Sequence, residues 1–233
     1  MDASTEQRLA PEKGTTNPAR SNGSGGVAAF GARSSRAGSL GSVGKIGMWV
    51  FLATDAMGFA GLLWAYAVLR TRATSWPDPA ARTDRALAAA LTFTLLLSGA
   101  TMTAAVAAAR RGERRAARFL IALTAVAGLG FVAGQAAEFH ALLTVRHVGL
   151  SADHAAATFY LITGYHGLHV LVGVVVLLVV GSRQDIWIAP GAGGRRAPAA
   201  GILEVTSLYW QFVDVVWIVL FTVLYLLPRM SHG

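Results

Sequence analysis

Five long apolar stretches constrain the fold of this chain more than any other feature of its sequence. Each is about 20 residues long, which is the length that an α-helix needs to cross a hydrocarbon layer about 30 Å thick. Hydrophobic residues make up 54% of the chain and charged residues only 14%, a balance far from that of soluble domains. We therefore predict an all-α integral membrane bundle of five transmembrane helices, over residues 46–69, 87–109, 119–143, 156–180 and 205–227.

The first 44 residues have a different composition from the rest of the chain. They are rich in Gly, Ser, Ala and Arg and contain almost no large apolar side chain. Such a segment cannot bury enough surface to offset the entropy lost on ordering. We predict a flexible, disordered tail over residues 1–44 and a transmembrane domain over residues 45–230. Since no apolar segment with a small-residue cleavage site precedes Ile46, we expect the first span itself to direct insertion.

The basic residues between the spans predict the orientation, because Lys and Arg in short loops stay on the cytoplasmic side. With a cytoplasmic N-terminus, eleven fall inside: Arg33, Arg36, Lys45, Arg110, Arg111, Arg114, Arg115, Arg118, Arg183, Arg195 and Arg196. Six fall outside: Arg70, Arg72, Arg82, Arg85, Arg146 and Arg229. We expect a cytoplasmic N-terminus and an external C-terminus. These loops also explain the formal net charge of +8, so no nucleic-acid partner is expected.

Several classes of chemistry have no support in the sequence. The chain contains no cysteine, which excludes disulfides, thiolate metal sites and cysteine nucleophiles. Phosphate-binding glycine loops, Ser-His-Asp patterns and nucleophile elbows are also missing. The sequence therefore gives no support for a catalytic mechanism of the kind that soluble enzymes use.

Ionisable residues within the spans are the candidates for function, because a charge in hydrocarbon is costly unless it is paired or hydrated. Asp55 and His166 lie about 14–15 Å into the first and fourth spans, at mid-membrane depth. His166 and His169 are three residues apart on one helix face, so either could contact Asp55. For Asp55 two interpretations stay open, a proton-handling or paired carboxyl and a neutral acid that only hydrogen-bonds a neighbouring helix. A metal site would need further ligands, and none is expected on this chain.

Asp214 lies at a similar depth in the fifth span, between Trp210 and Trp217. Buried indoles seek hydrogen-bond acceptors, which favours a structural Trp and Asp network over a transport role. Gln135 and Glu138 share a face of the third span, and Glu138 is predicted near its outer end, about 28 Å along the helix. A lipid or loop contact is the interpretation for four polar residues: Gln135, Glu138, Arg195 and Arg196.

Four motifs, in order along the chain, resemble those of one family. The first span carries KIGMWVFLATDAMGF, the third ends in GQAAEFHALL, the fourth carries FYLITGYHGLHVLVG, and the fifth carries SLYWQFVDVVWIVLF. They are similar to the "GMWLFL", Gln-x-x-Glu-aromatic, "GxHGLHV" and "WHFVDVVW" signatures of subunit III of the haem-copper respiratory oxidases. The resemblance covers nearly the whole chain from Lys45 onward.

Three departures from the family pattern stand out. Family members often have two further helices before the "GMW" helix, and residues 1–44 cannot supply them, so we expect the five-helix variant. Many members have Glu where this chain has Asp55, although Asp is similar to what some quinol-oxidising members carry. Gln211 replaces the usual His after Trp210, which removes a titratable group and keeps hydrogen-bonding capacity.

The resemblance implies a non-catalytic subunit of a terminal oxidase that reduces oxygen to water and pumps protons. It implies direct packing on subunit I, which the chain would stabilise while assisting proton uptake, with subunit II and small subunits in the same complex. Haems and copper would lie on the partner subunits, and membrane lipids, including a bound phospholipid, would contact the chain. Asp55 with His166 or His169 would be a proton antenna or an interhelical polar bridge. The location implied is a bacterial-type inner membrane.

Two alternatives remain at this stage. One is an accessory membrane subunit of nitric oxide reductase, against which the "HGLHV" and "FVDVVW" motifs favour the oxidase. The other is a small proton-coupled transporter that uses Asp55 and Asp214, against which stands the lack of visible inverted repeats. The electron donor, cytochrome c or quinol, stays open because its docking surface would lie on other subunits.

Overall fold

The computed structural model describes residues 24–74, 76–77, 83–149, 152–183, 188–190, 196–198 and 201–226. The chain divides into two compact units, residues 1–40 and 41–233. In the first unit, residues 24–40 are helical. Among the described residues, five helical segments are long and apolar enough to cross a membrane, and all five lie in the second unit.

The predicted five-helix architecture is confirmed. The helices are α1 (Ser24–Arg72), α2 (Arg85–Arg110), α3 (Arg114–Thr144), α4 (His154–Ser182) and α5 (Gly201–Phe221). A π-helical turn, Thr222–Leu226, continues α5. Two short antiparallel strands, β1 (Ile188–Pro190) and β2 (Arg196–Pro198), pair within the connection between α4 and α5.

The N-terminal segment predicted as a flexible tail is described only in part. α1 begins at Ser24, so residues 24–43 are helical. Residues 1–23 of that tail lie outside the described part of the chain. Flexibility of the tail stays a prediction.

Local sequence signals set the ends of the helices. Asp84 caps α2 by accepting hydrogen bonds from the backbone N–H groups of Ala86 (3.0 Å) and Leu87 (3.2 Å). Asp153 caps α4 in the same way through the N–H of Ala156 (2.7 Å). Such caps satisfy N–H groups that have no partner within the helix. Between α2 and α3 the chain turns at Gly112, whose positive φ of 79° suits a residue without a Cβ.

Four of the helices form a closed ring around one tryptophan of α5. α2 packs on α3 and α5, and α4 also packs on α3 and α5. The fully buried indole of Trp210 fills the centre. A Cβ added at Gly128 of α3 would lie 2.6 Å from its Cη2 atom, and one at Gly173 of α4 would lie 2.9 Å from its Cζ3 atom. These two glycines therefore let α3 and α4 close on the ring of Trp210.

The membrane-spanning part of α1 packs more lightly than the other helices. Only 11% of its most apolar window is buried, against 33–44% in the other four spans. Its buried side chains are spaced seven residues apart, at Leu52, Phe59 and Tyr66. This spacing makes a narrow seam of the coiled-coil type along one face. The candidate acid, Asp55, lies on that seam.

Candidate functional site

Asp55 is positioned by the helical period of α1. It lies three residues after Leu52 and four before Phe59, so it shares their buried face. Its side chain is 10% exposed and points at α4, where the side chain of His169 is 14% exposed. The carboxyl is thus enclosed between two helices.

One carboxylate oxygen of Asp55 receives two contacts from α4. The Nε2 atom of His169 lies 3.2 Å from Oδ1, and the hydroxyl of Tyr165 donates to the same oxygen over 3.3 Å. Among the described residues, Oδ2 of Asp55 has no hydrogen-bond partner. The carboxyl is therefore held through a single oxygen.

The other nitrogen of His169 determines the proton arrangement. Its Nδ1 atom lies 2.7 Å from the backbone oxygen of Tyr165, which can only accept, so Nδ1 carries a hydrogen. A hydrogen bond between Nε2 and Oδ1 would then need either a proton held by Asp55 or an imidazolium that donates to the carboxylate. In both arrangements the pair holds one shared proton and has no net charge. A neutral pair is far less costly in hydrocarbon than a lone ion.

Aromatic rings pack against this pair. The ring of Phe59 lies 4.9 Å from that of Tyr165 and 5.2 Å from that of His169, centre to centre. From α5, the hydroxyl of Tyr209 donates to the backbone oxygen of His169 over 3.0 Å. Three helices, α1, α4 and α5, therefore meet at the pair of Asp55 and His169.

His166, the other candidate partner, is turned away from Asp55. It is fully buried, and its ring stacks on that of Trp217 at 4.9 Å and 29°. The edge of Phe131 lies against it, with ring centres 5.7 Å apart. Neither ring nitrogen of His166 has a hydrogen-bond partner within the described part of the chain. Of the two histidines left open by the sequence, the structure brings only His169 to Asp55.

The tryptophans of α5 do not use Asp214 as their acceptor. The indole N–H of Trp210 donates to the hydroxyl of Ser98 (3.0 Å), and that of Trp217 donates to the hydroxyl of Thr92 (2.9 Å). An indole has a single N–H group. Both tryptophans therefore use their only donor for α2, and neither has one left for Asp214. The predicted Trp and Asp network is therefore a network between α5 and α2, in which the carboxyl of Asp214 takes no indole hydrogen bond.

Asp214 instead lies directly against the backbone of α2. A Cβ added at Gly99 would collide with its Oδ2 atom. Its Oδ1 atom is buried without a hydrogen-bond partner among the described residues. Next to it, the amide of Gln211 donates to the backbone oxygen of Gly99 (3.2 Å) and to the hydroxyl of Thr103 (2.8 Å). Gln211 thus uses its hydrogen-bonding capacity to attach α5 to α2.

Gln135 and Glu138 lie inside the bundle, where the sequence predicted a lipid or loop contact. Each is 5% exposed. The hydroxyl of Tyr225, in the π-helical turn, donates to Oε2 of Glu138 over 3.2 Å. The side-chain amide of Gln135 has no partner in the described structure. The prediction that Glu138 lies near a membrane surface used only its position along α3. The direction of its side chain around the helix axis is set by the packing of α3 on α4.

The other two residues of that prediction are Arg195 and Arg196. Arg195 lies outside the described residues, and only the backbone of Arg196, in β2, is described. Their lipid or loop contact stays a prediction.

An ionic cluster at one end of the bundle was not foreseen. Glu204, in the first turn of α5, contacts Nζ of Lys45 at 2.5 Å and Nη2 of Arg110 at 2.7 Å. It connects α1, α2 and α5, and its side chain is only 16% exposed. The only signal in the sequence that could have identified this cluster was Glu204 itself, a single acid among the basic residues at the ends of the spans. A second ion pair, Arg111 with Glu113, lies in the exposed turn, where the hydrogen bond to Arg111 lowers the pKa of Glu113.

The site is suited to fixing helices and holding a proton. Within the described residues, no three His, Cys, Asp or Glu side chains come together in a group that could hold a metal ion. Among these described residues Asp55 and His169 pair without a third such ligand, and the ring of His166 stacks on that of Trp217.

Comparison with known proteins gives one consistent result. The family described as "Cytochrome c oxidase subunit III" matches residues 38–228. A protein of Thermostichus vulcanus named "Cytochrome c oxidase subunit 3" is 34% identical over 78% of this chain and 87% of its own length. "Probable cytochrome c oxidase subunit 3" of Mycobacterium tuberculosis is 35% identical over 76% of this chain and 84% of its own. A Synechocystis protein named "Cytochrome c oxidase subunit 3" is 35% identical over 78% of this chain and 74% of its own.

Proposed function

The chain belongs to the cytochrome c oxidase subunit III family, and on that premise we propose that it is a non-catalytic subunit that stabilises subunit I of its oxidase and assists proton uptake. Membership makes it subunit III of a haem-copper oxidase, a multi-subunit respiratory complex. The names of the relatives favour this function over a nitric oxide reductase subunit or a small transporter.

The observation that carries the proposed role is the contact between Asp55 and His169. α1 buries little of its own surface, and this pair, with the hydroxyl of Tyr165, supplies a polar attachment to α4. Subunit I would pack on a bundle whose helix positions are fixed from inside. The proton shared by the pair is the feature that suits it to assist proton uptake.

The partners and cofactors follow from the family. We propose direct packing on subunit I, with subunit II and small subunits in the same complex and cytochrome c as the electron donor. Haems and copper belong to the partner subunits in this proposal. The multi-pass chain would lie in a bacterial inner membrane with its N-terminus in the cytoplasm, an orientation supported by the eleven basic residues on that side against six on the other.

The test is the replacement Asp55→Ala in the intact oxidase, with Thr54→Ala as the matched control. Thr54 is the exposed neighbour, and its hydroxyl bonds only within α1, to the backbone oxygen of Val50. We expect Asp55→Ala to weaken retention of the chain on subunit I or to shorten the number of turnovers before inactivation. Retention and turnover lifetime equal to those of Thr54→Ala would refute the stabilising role.

Proton uptake is tested separately with Asp55→Asn. Asparagine can still accept from Tyr165 but cannot share a proton with His169. We expect slower proton uptake by the reconstituted oxidase, with the loss growing as pH rises and protons become scarce. His166→Phe is the control, since His166 does not contact Asp55. An uptake rate and pH profile equal to the wild type would remove the proton role and leave the stabilising role standing.

A further inference from the structure

Two polar side chains of α3 lie next to each other inside the bundle. Gln135 and Glu138 are three residues apart, which places their Cβ atoms about 5–6 Å from each other on one face of the helix. Each residue is only 5% exposed. Bulk water therefore has almost no access to either side chain.

These two side chains use little of their hydrogen-bonding capacity within the described structure. Oε2 of Glu138 accepts a hydrogen bond from the hydroxyl of Tyr225 over 3.2 Å. Three further atoms are buried without a partner among the described residues: Oε1 of Glu138, Oε1 of Gln135 and Nε2 of Gln135. Leaving buried polar atoms unpaired is costly, so folded proteins pair nearly all of them with protein atoms or with ordered water.

The face of α4 opposite Gln135 leaves a gap beside these atoms. A Cβ added at Gly167 would lie 3.6 Å from Oε1 of Gln135, and one added at Gly164 would lie 3.9 Å from a ring carbon of Phe139. Apart from the adjoining part of α4, no other described atom lies within 4 Å of either position. Further along α4, by contrast, a Cβ at Gly173 would lie 2.9 Å from the central indole of α5. Gly173 thus serves close packing, whereas Gly164 and Gly167 leave room between α3 and α4.

The π-helical turn after α5 directs Tyr225 to the same place. Tyr225 is 3% exposed, and its ring centre lies 5.9 Å from that of Phe159 in α4. Its hydroxyl is the donor to Glu138. Turns of this kind occur often at functional sites. Three parts of the chain, α3, α4 and the π-helical turn, therefore meet beside Glu138.

We propose that Gln135 and Glu138 form a buried binding site for ordered water. Two molecules satisfy all three atoms: one donates to Oε1 of Gln135 in the gap beside Gly167, and the other accepts from Nε2 of Gln135 and donates to Oε1 of Glu138. A hydrogen bond between the two molecules gives each of them at least two partners, as buried water requires. The result is a chain of hydrogen bonds from Tyr225 to Gln135 that attaches the end of α5 to α3. The inference does not depend on the proposed stabilising role.

The test is radiolytic labelling of the purified oxidase complex in water enriched in oxygen-18. A short X-ray pulse converts water to hydroxyl radicals, which oxidise the side chains beside that water, and mass spectrometry locates the label. Tyr225 reports on the site. Tyr160 is the internal control, because it is also a tyrosine and contacts Phe139, the residue after Glu138. The hydroxyl of Tyr160 is bonded to the backbone oxygen of Val148 over 3.0 Å.

The two tyrosines separate bound water from bulk water. Tyr160 is 6% exposed and Tyr225 is 3% exposed, so access of bulk water alone would label Tyr160 at least as fast. With water bound at the site, we expect Tyr225 to be labelled about fivefold faster than Tyr160 or more. This comparison uses the wild-type complex and needs no variant to assemble.

A matched pair of variants connects the label to Gln135. Gln135→Leu keeps a side chain of similar size and removes two of the three unpartnered atoms. It should lower the labelling of Tyr225 about fivefold. Gln211→Leu is the control, because the amide of Gln211 bonds to α2, at Gly99 and Thr103, and it should leave the labelling of Tyr225 unchanged.

Two results would overturn the proposal. Labelling of Tyr225 no faster than that of Tyr160 would mean that the site is dry and that Glu138, as the neutral acid, bonds directly to the amide of Gln135. Fast labelling of Tyr225 that persists in Gln135→Leu would place the water elsewhere and remove Gln135 from the site.

Discussion

The contact between Asp55 and His169 leads to a quantitative prediction for a double-mutant cycle. Asp55→Ala, His169→Ala and the double variant define the coupling free energy between the two side chains. A second cycle, between Asp55 and His166, is the control, because His166 stacks on Trp217 and does not contact Asp55. Both histidines lie on the same helix within one turn, so the control matches position and depth.

The expected magnitude follows from the geometry. The pair shares one hydrogen bond of 3.2 Å between side chains that are 14% and 10% exposed. Interhelical hydrogen bonds in bilayers average about 0.6 kcal/mol and reach about 1.7 kcal/mol. A shared proton between two ionisable groups belongs in the upper part of that range, so we expect a coupling of about 1 kcal/mol. For Asp55 with His166 the coupling should stay below about 0.4 kcal/mol, as for residues without a shared contact.

The assay is the free energy of unfolding of the purified chain in mixed micelles, followed by tryptophan fluorescence. Asp55→Ala should destabilise more than His169→Ala, because it removes the hydrogen-bond partner of both His169 and Tyr165. Equal couplings in the two cycles would refute the assignment of His169 as the partner of Asp55. A coupling near zero in both would mean that the polar pair adds nothing to the docking of α1.

Three further predictions concern packing and charge, each measured as a change in the free energy of unfolding in mixed micelles. Gly128→Ala should destabilise by about 1–3 kcal/mol, because the new methyl group would collide with the central indole of α5, whereas Gly130→Ala has open space and should not destabilise. A neutral result at both positions would contradict the tight closure around that ring. Glu204→Gln should cost about 0.5 kcal/mol by breaking the ionic cluster between three helices, with Glu113→Gln in the exposed turn as a control without measurable effect. His166→Phe should be neutral or stabilise by up to about 1 kcal/mol, since two buried nitrogens without described partners are replaced by carbon; a clear loss would reveal a polar partner.

The helices themselves could be predicted from the sequence because membrane crossing depends on local properties. A segment that crosses the hydrocarbon layer must pair its own backbone N–H and C=O groups, because no water is present there. In a single segment only a helix does so. The five spans therefore follow from hydropathy, and their ends follow from residues such as Asp84 and Asp153, which cap α2 and α4. The family motifs identified four of the five helices independently, namely the first, third, fourth and fifth.

The partner of Asp55 could not be predicted, because helical periodicity does not determine rotation. His166 and His169 differ by about 60° around α4, and the same pattern fits either one facing α1. The rotation is determined by packing, which stacks His166 on Trp217 and places Tyr165 and His169 beside Asp55. That arrangement depends on contacts between residues far apart in the sequence, such as Asp55 with Tyr165 (110 positions) and with His169 (114 positions).

The hydrogen bonds of the α5 tryptophans show the same limit. Sequence spacing linked Trp210 and Trp217 to Asp214, because these residues are close on one helix. Their indoles bond instead to hydroxyls of α2, and nothing within α5 indicates which hydroxyls lie at their level. Serine and threonine in membrane helices often bond their own backbone, as Ser98 and Thr92 also do, so their role as acceptors between helices is hidden in the sequence.

The most direct test of the assigned function is to purify the chain by an affinity tag from the native membrane and to identify what accompanies it. We expect subunits I and II in the same preparation, with the visible absorption of haem and with oxygen consumption sensitive to cyanide. Separation of the subunits under denaturing conditions should leave no haem or copper on this chain. A chain that purifies alone, or with proteins that carry neither haem nor copper, would contradict its function as subunit III of a haem-copper oxidase.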